Sequence, residues 1–188
     1  IVKALVDLMG GTVQVESEEG HGTRFTIELE LPIASEQQIH EKKENQIEEL
    51  AKNLNGCRIL LAEDNDLNAE IAMTILQEHG VQVERAVNGE ECVEMLKAQT
   101  ADYYDAVLMD IQMPVMNGYD AARAIRQLTT PHAAVSIIAM TANAFEEDKQ
   151  KAFAAGMDAY ITKPVDVVSM MKTLHQIIET HRSDPDLS

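Results

Sequence analysis

The side chains best suited to chemistry in this sequence follow apolar segments with the composition of buried strands. Glu63 and Asp64 follow CRILLA, and Asp110 ends the segment DAVLMD. Thr141 follows VSIIAM, and Lys163 follows AYIT. Three carboxylates held together raise one another's pKa and cannot all stay ionised unless a cation is present. Mg²⁺ suits such a set, because it takes one or two carboxylates, keeps waters and accepts phosphate oxygens as its remaining ligands.

The other two side chains favour an anionic substrate. The Lys163 ammonium adds a positive charge, and the Thr141 hydroxyl can donate a hydrogen bond to a phosphoryl oxygen. Phosphoryl transfer requires positioning and charge neutralisation more than covalent machinery. A carboxylate that forms an aspartyl phosphate is one established route. These residues therefore predict a Mg²⁺-dependent phosphoryl-transfer site.

The segments that end at these residues belong to a strand-then-helix pattern that is repeated five times. Strands are predicted at CRILLAE, VQVERA, DAVLMD, VSIIAM and AYIT, and helices at about 66–79, 89–99, 118–128, 144–155 and 166–181. Three of the strands are nearly continuous apolar runs, as in sheets that helices cover on both faces. The pattern predicts an α/β fold with a five-stranded, doubly wound parallel sheet. Ligands bind such sheets beyond the carboxyl ends of the strands, where the candidate side chains stand.

The first 55 residues have a different pattern. IVKALVDLM has helical spacing, and TVQVES and TRFTIELEL alternate around a turn, which predicts a helix and a β-hairpin over residues 1–33. A helix and one hairpin are too small to be stable alone. The polar segment 34–55 carries apolar residues at helical spacing in its second half: Ile47, Leu50, Ala51 and Leu54. A short amphipathic helix fits this spacing, and a solvated linker fits the composition equally well.

Charge and cysteine content limit the partners and the compartment. The formal net charge of -17 leaves no basic stripe that could bind nucleic acid or an anionic membrane surface. Cys57 and Cys92 lack metal or redox spacing and are expected to be buried free thiols in a reducing cytosol. No segment has the length and apolar character of a membrane span, and no signal peptide is visible. Because the first residue is Ile1 rather than Met and stands inside a predicted helix, we expect a fragment of a longer protein. The fragment is expected to be cytoplasmic, and the other parts of the parent protein can include a membrane anchor.

Four ordered blocks in the second part of the chain resemble the receiver domains of bacterial response regulators. The blocks are LLAEDNDLNAEIA, MDIQMPVMNGYDAARAIR, IIAMTANAF and AGMDAYITKPV, and they are most similar to the receivers of hybrid sensor histidine kinases. The resemblance implies a flavodoxin-like fold with strand order 2-1-3-4-5. The receiver is expected to span residues 57–182, with 183–188 as a tail.

This resemblance implies a role for each candidate residue. Asp110 would be the phospho-acceptor, and Glu63 and Asp64 would hold Mg²⁺, one directly and the other through water. The backbone carbonyl of Gln112 would be a further metal ligand. Lys163 would contact the acyl phosphate, and its peptide bond to the following proline resembles one that is often cis in this family.

The resemblance also implies a switch. Thr141 would move toward the acyl phosphate, and Tyr160 would change rotamer with it. The movement would bias the surface formed by the fourth helix, the fifth strand and the fifth helix of the receiver (144–155, AYIT and 166–181), which we call the output surface.

Residues 1–33 resemble the last helix and hairpin of the ATP-binding domain of histidine kinases. The loops and the helix that bind ATP and Mg²⁺ in that domain are missing, as is a histidine in a dimerisation helix. We therefore expect neither ATP binding nor histidine autophosphorylation, and any enzymatic activity of this fragment would concern its own aspartate. The expected partners are the phosphohistidine donor domain of the parent kinase and a histidine phosphotransfer domain or protein, with a homodimer as a further possibility.

Two functions from different classes fit the second part of the chain. A receiver that is phosphorylated on Asp110 is favoured, because every position with a chemical role is filled. The alternative is an interaction module that uses the same fold without phosphorylation. A haloacid-dehalogenase-type phosphatase is disfavoured, because those enzymes need a second Asp two residues after the nucleophile, where Gln112 stands.

Overall fold

The computed structural model describes residues 2–3, 6, 10–18, 20, 22–29, 36–142 and 146–183. The chain divides into two compact units, Ile1–Glu41 and Lys42–Ser188. Residues 184–188 of the predicted tail lie outside the described part, as do residues 144 and 145 of the predicted fourth receiver helix.

The first unit contains the predicted hairpin. Strands β1 (Thr12–Glu18) and β2 (Gly22–Glu28) pair antiparallel. Val13 lies opposite Ile27 and Val15 opposite Phe25, so these four apolar side chains share one face of the hairpin. Of the helix predicted over residues 1–9, only residues 2, 3 and 6 are described, and all three are helical.

A helix, α1 (Glu36–Leu54), follows the hairpin along the chain. The apolar residues in the second half of segment 34–55 thus lie on a helix. Leu54 is buried in the core of the second unit, and Leu50 and Ala51 pack against the same core. The helix ends before Gly56, whose φ of 82° lies in the left-handed region that glycine adopts without a steric cost.

The second unit has the predicted α/β architecture. Its strands are β3 (Arg58–Ala62), β4 (Gln82–Ala86), β5 (Ala106–Asp110), β6 (Ser136–Thr141) and β7 (Ala159–Thr162). Its helices are α2 (Asp66–Glu78), α3 (Gly89–Ala98), α4 (Gly118–Arg126), α5 (Glu146–Ala154) and α6 (Val167–Ser183), with a short 3₁₀ helix at Pro131–Ala134. All the strands pair in parallel, in the order β4-β3-β5-β6-β7. This order confirms the predicted 2-1-3-4-5.

The apolar strands separate two cores, one on each face of the sheet. Alternate residues of β5 point to opposite faces, so Val107 packs with α3, α4 and α5, whereas Leu108 packs with α2 and α6. Every residue of β5 and β6 is buried. A continuous apolar run in the sequence is therefore the expected pattern for a central strand that is covered on both faces.

Three asparagines start the helices that follow the first three strands of this sheet. The side-chain oxygens of Asn65, Asn88 and Asn117 each accept a hydrogen bond from the backbone N–H three residues later. Such caps satisfy backbone donors that a helix N-terminus otherwise leaves without partners. They fix the starts of α2, α3 and α4 close to the carboxyl edge of the sheet.

Arg126, the last residue of α4, ties together three segments near the opposite edge of the sheet. Its Nε donates to the carbonyl oxygen of Gly156 at 2.7 Å. Its Nη1 donates to the carbonyl oxygens of Ala133 and Val135, at 2.6 and 2.7 Å. Its Nη2 contacts the Asp158 carboxylate at 2.7 Å. One guanidinium thus connects the helix end to the start of β6 and to the turn before β7.

Both cysteines are buried and neither forms a disulfide, as expected from the sequence. Burial and the nearby charge of Glu91 raise the pKa of the Cys92 thiol to about 12, which keeps it protonated at neutral pH. Among the described helices, none has the combination of length and apolar composition that crossing a membrane requires.

Candidate functional site

A cavity of about 390 Å³ opens at the carboxyl edge of the five-stranded sheet. The residues predicted to act together all line it except Tyr160: Glu63, Asp64, Asp110, Gln112, Thr141 and Lys163. The strand register explains why they meet. Ala62 pairs with Met109, so the residues after them, Glu63 and Asp110, lie at the same level of the sheet. Thr141 pairs with Thr162, which brings Lys163 to the same edge.

Three carboxylates form the acidic part of the site. Glu63 and Asp110 are buried, whereas Asp64 is exposed. One oxygen from each of the three lies within 4.8 Å of the others. Carboxylate oxygens at this spacing are suitable ligands for a hard divalent cation such as Mg²⁺.

Lys163 bridges the two buried carboxylates. Its Nζ lies 2.5 Å from Glu63 Oε2 and 2.8 Å from Asp110 Oδ2. Burial alone lowers the pKa of Lys163, but its hydrogen bonds to Asp110 and Glu63 and the charges of both carboxylates outweigh burial, so the pKa is raised. The side chain is therefore a stable cation inside the site. The peptide bond between Lys163 and Pro164 is cis, as the sequence resemblance implied.

Opposing influences act on the Asp110 carboxyl group. Burial raises its pKa, and the negative charge of Glu63 adds to this rise. The hydrogen bond and charge of Lys163 lower the pKa, as does the Gln112 N–H, which donates to Asp110 Oδ1 at 3.2 Å. The net shift is upward. Additional positive charge in the cavity would therefore favour the ionised form of Asp110.

Glu63 makes more protein contacts than the sequence suggested. Its Oε1 accepts from the side-chain amide of Asn68 at 3.1 Å and from the Asn65 N–H at 3.4 Å, while Oε2 faces Lys163. Asn68 was not predicted as a site residue. Its position in the first turn of α2, on the helix that starts at this edge, is the signal that could have identified it.

The loop after Asp110 turns back closely on β5, the strand that ends at Asp110. The N–H of Gly118 donates to the carbonyl oxygen of Ile111 at 3.0 Å, and a Cβ added at Gly118 would lie 2.2 Å from the carbonyl oxygen of Asp110. Within the loop, Val115 has a φ of 66°, and the Met116 N–H reaches the carbonyl oxygen of Pro114 at 2.7 Å. This is a strained γ-turn with a β-branched residue in its centre.

Substituting Gly118 by alanine is expected to lower the free energy of unfolding by about 2 kcal/mol, because the added methyl group overlaps backbone atoms that cannot move independently of Asp110. Urea denaturation followed by circular dichroism measures this change. The loop after Asp110 would also shift, so phosphorylation of the folded variant by a small donor should be slower. Unchanged values of both quantities would show that the loop relaxes without affecting Asp110.

The two predicted switch residues occupy different environments. Thr141 is buried at the end of β6 and lines the cavity. Tyr160 lies instead against α5, with its ring edge-on to Phe153 at a centroid distance of 6.2 Å. The Lys149 ammonium lies 4.7 Å from the centre of the same ring. The structure therefore places Thr141 in the site and Tyr160 on the output surface.

Three further residues on α4 and α5 line the cavity and were not predicted: Tyr119, Asp148 and Lys151. Burial and the charge of Asp148 raise the pKa of Tyr119, against an opposing effect of Lys151. Tyr119 directly follows Gly118, whose close packing on the end of β5 brings the start of α4 to the cavity. The sequence contains no spacing signal for Asp148 and Lys151, since both belong to a largely exposed helix.

Two solved structures of receiver domains share this fold. The receiver domain of a sensor histidine kinase from Pseudomonas aeruginosa PAO1, with a magnesium ion coordinated in its active site cleft, is 36% identical with a TM-score of 0.60, over 66% of this chain and 98% of that chain. A chain of the co-crystal structure of the Saccharomyces cerevisiae histidine phosphotransfer signaling protein Ypd1 with the receiver domain of Ssk1 is 29% identical with a TM-score of 0.61, over 68% of this chain and 92% of that chain.

Sequence comparison leads to the same group of proteins. The aerobic respiration control sensor protein ArcB of Escherichia coli K12 is 32% identical over 180 residues, which are 96% of this chain and 22% of ArcB. The chain thus spans about a fifth of the length of this curated relative. The sequence profile described as the response regulator receiver domain matches residues 59–175, the part that forms the sheet and the cavity. Since this match covers more than half of the chain, the protein belongs to the response regulator receiver family.

Proposed function

We propose that this receiver domain takes a phosphoryl group from a phosphohistidine onto Asp110 and passes it on or hydrolyses it. The observation that carries the proposal is the contact of Lys163 with both Asp110 and Glu63 in an acidic cavity at the sheet edge. This arrangement provides a buried carboxylate nucleophile beside a fixed positive charge. Both groups are needed to transfer an anionic group to a carboxylate.

The acidic cluster fits Mg²⁺. Asp64 and Asp110 would hold the ion directly, with the backbone carbonyl of Gln112 as a further ligand. Glu63 would act through water, because three protein donors already contact its buried carboxylate, whereas Asp64 is exposed. When bound, the ion neutralises charge on the phosphoryl oxygens and favours the ionised form of Asp110. The magnesium ion in the cleft of the Pseudomonas receiver supports this choice of metal.

In the proposed reaction, an ionised oxygen of Asp110 attacks phosphorus in line with the leaving imidazole. The new O–P bond forms as the N–P bond breaks, and the electron pair of that bond leaves with the imidazole nitrogen. Lys163 would contact one phosphoryl oxygen, and Thr141 would donate a hydrogen bond to another. Lys163 already faces Asp110 at 2.8 Å, so little rearrangement of this cation is required.

The switch proposal follows from the two environments of Thr141 and Tyr160. When Thr141 moves toward the acyl phosphate, it leaves space behind it that the ring of Tyr160 would enter. Tyr160 would then lose its contacts with Phe153 and Lys149 on α5. This loss would change the output surface, so that a local electrostatic event alters a protein-binding face.

The proposed partners are the phosphohistidine donor domain of the parent kinase and a histidine phosphotransfer domain or protein. A phosphohistidine must come within bonding distance of Asp110, so its domain must cover the mouth of the cavity. Exposed apolar side chains lie on two segments that also carry cavity residues: Leu67 and Ile71 on α2, and Val115 in the loop after Asp110. They form an apolar surface that an amphipathic helix of the donor would cover. The complex of the Ssk1 receiver with Ypd1 supports this class of partner.

For the whole protein, we propose a cytoplasmic hybrid histidine kinase segment. The alignment with ArcB spans 96% of this chain, so it extends into the first unit as well as the receiver. Residues 1–33 would be the end of the kinase ATP-binding domain, and 34–55 would connect it to the receiver at 57–182. The homodimer considered from the sequence stays a prediction.

The test is phosphorylation by a small donor. Incubation of the chain with Mg²⁺ and acetyl phosphate or phosphoramidate should add one phosphoryl group, about 80 Da, to the intact mass. The adduct should be absent from the Asp110→Asn variant and from samples with excess chelator. If wild type gains no mass, or the adduct survives in Asp110→Asn, the alternative of an unphosphorylated interaction module replaces the proposal.

A further inference from the structure

Arg85, on the edge strand β4, contacts the segment that carries two of the three acidic residues. Its Nε donates to the carbonyl oxygen of Glu63 at 3.0 Å, and its Nη2 donates to the carbonyl oxygen of Asp64 at 3.2 Å. Its Nη1 contacts the Asp66 carboxylate at 2.8 Å. The arginine side chain is 21% exposed, whereas that of Asp66 is 94% exposed. The contact with the Glu63 carbonyl is partly buried, whereas the contact with the Asp64 carbonyl is exposed.

These contacts fix the backbone of the acidic residues without using their side chains. Between β3 and α2, the N–H of Glu63 donates to the carbonyl oxygen of Ala86, and Asn65 then caps the helix. The carbonyl oxygens of Glu63 and Asp64 both accept hydrogen bonds from Arg85. A planar guanidinium presents donors on three nitrogens in a fixed geometry, here toward two carbonyl oxygens and a carboxylate, whereas an ammonium group carries all its donors on one nitrogen.

We infer that Arg85 is a positioning residue of the acidic site. It holds the backbone of Glu63 and Asp64 so that their carboxylates face Asp110 within the 4.8 Å cluster. The inference deepens the proposed function and, for its Mg²⁺ readout, rests on it. Arg85 does not line the cavity, and its side chain acts through the loop rather than on the phosphoryl group.

Geometry and charge make opposite predictions for the loss of this arginine. A positive charge next to an acidic cluster opposes cation binding, so its removal on electrostatic grounds alone would tighten Mg²⁺ binding. If Arg85 positions the carboxylates, its removal allows the loop to move, and Mg²⁺ binding weakens. The sign of the change thus separates the two roles.

The experiment uses the full chain with Arg85→Gln, Arg85→Lys and, as a matched control, Arg123→Gln. Arg123 is an exposed arginine on α4 that pairs with Asp120, so this variant removes the same charge at a distance from the acidic loop. Amide exchange without Mg²⁺ should accelerate about tenfold at Asn65 and Asn68 in both Arg85 variants, and remain unchanged in the control. Titration with Mg²⁺ alone, followed by NMR, should show about tenfold weaker binding in both Arg85 variants.

Wild-type exchange rates at Asn65 and Asn68 in Arg85→Gln would overturn the inference, and so would tighter Mg²⁺ binding by that variant. Wild-type Mg²⁺ affinity in Arg85→Lys would also overturn it, since the lysine keeps the charge and loses the planar fork. If the wild-type chain itself binds no Mg²⁺, the proposed function fails. The metal-free exchange rates then still decide whether Arg85 orders the loop.

Discussion

Replacing Lys163 by methionine is expected to lower the free energy of unfolding by about 2 kcal/mol at neutral pH without divalent cations, and to slow phosphorylation of Asp110 by about a hundredfold. The substitution leaves Glu63 and Asp110 facing each other without the cation that lies 2.5 and 2.8 Å from them. Removing one partner of a buried ion pair generally costs more than the pair contributes. We expect a smaller loss of unfolding free energy than is usual for a fully buried ion pair, because the cavity is open to solvent.

The destabilisation should depend on pH with a defined sign. In wild type, the raised pKa of Lys163 means that its stabilising contribution is complete below the ordinary value of 10.5 and is lost as the pH rises through the folded-state value. The raised pKa of Asp110 means that this group lowers stability as the pH rises above its ordinary 3.8. Without Lys163, the pKa of Asp110 rises further. The deficit of the variant should therefore be small near pH 4 and larger at pH 8.

Urea denaturation at pH 4 and pH 8, with and without Mg²⁺, measures these effects. Mg²⁺ should restore part of the lost stability at pH 8, because it supplies positive charge to the same carboxylates. The control is Lys172→Met on α6, an exposed lysine outside the cavity, which should change stability little at either pH. An equal deficit at both pH values would mean that packing of the lysine stem, rather than charge, stabilises this part of the fold.

The sequence predicted the strands and the site for related physical reasons. AVLMD and SIIAM form β5 and β6, which are buried on both faces, so their apolar runs are uninterrupted. A side chain directly after such a strand has to lie at the carboxyl edge of a parallel sheet. Asp110 and Lys163 could therefore be grouped before their distance was known, although 53 residues separate them along the chain.

Sequence patterns did not predict the contacts made by long polar side chains. Arg85 stands on an edge strand where alternation indicates only a partly exposed position, and its three acceptors lie between the end of β3 and the first residue of α2. Backbone carbonyls can accept from any donor, so no residue type marks them. The contacts of Tyr160 could not be predicted for a different reason. Its ring contacts Lys149 and Phe153 only because of how α5 is rotated against the sheet, and tertiary contacts set that rotation.

Arg126, like Arg85, is an arginine that donates to backbone carbonyl oxygens of other segments. Its replacement by methionine should lower the free energy of unfolding by about 3 kcal/mol. The guanidinium donates to three carbonyl oxygens and contacts one carboxylate, all at 2.6 to 2.7 Å. Methionine retains much of the apolar stem and removes every donor. The carbonyl oxygens of Ala133, Val135 and Gly156 would then lose a charged partner in a partly buried setting, which costs more than the loss of an exposed ion pair.

The matched control lies one turn earlier on the same helix. Arg123→Met breaks only the ion pair between Arg123 and Asp120, and both of these side chains are more than half exposed. This substitution should lower the free energy of unfolding by less than about 0.5 kcal/mol. Urea denaturation of both variants gives the comparison. The acceptors of Arg126 lie near the start of β6 and before β7, away from the carboxyl edge, so the folded fraction of Arg126→Met should keep wild-type Mg²⁺ affinity.

Two results would contradict this account of Arg126. Equal stabilities of Arg126→Met and Arg123→Met would mean that water replaces the guanidinium at its carbonyl acceptors without a net cost. A loss of Mg²⁺ affinity in folded Arg126→Met would mean that the two edges of the sheet are coupled through β6, because Thr141 at its far end lines the cavity. We instead expect lower stability with unchanged Mg²⁺ affinity. This outcome requires that β6, which is rigid and fully buried, does not transmit changes from the opposite edge of the sheet to the edge that carries Asp110.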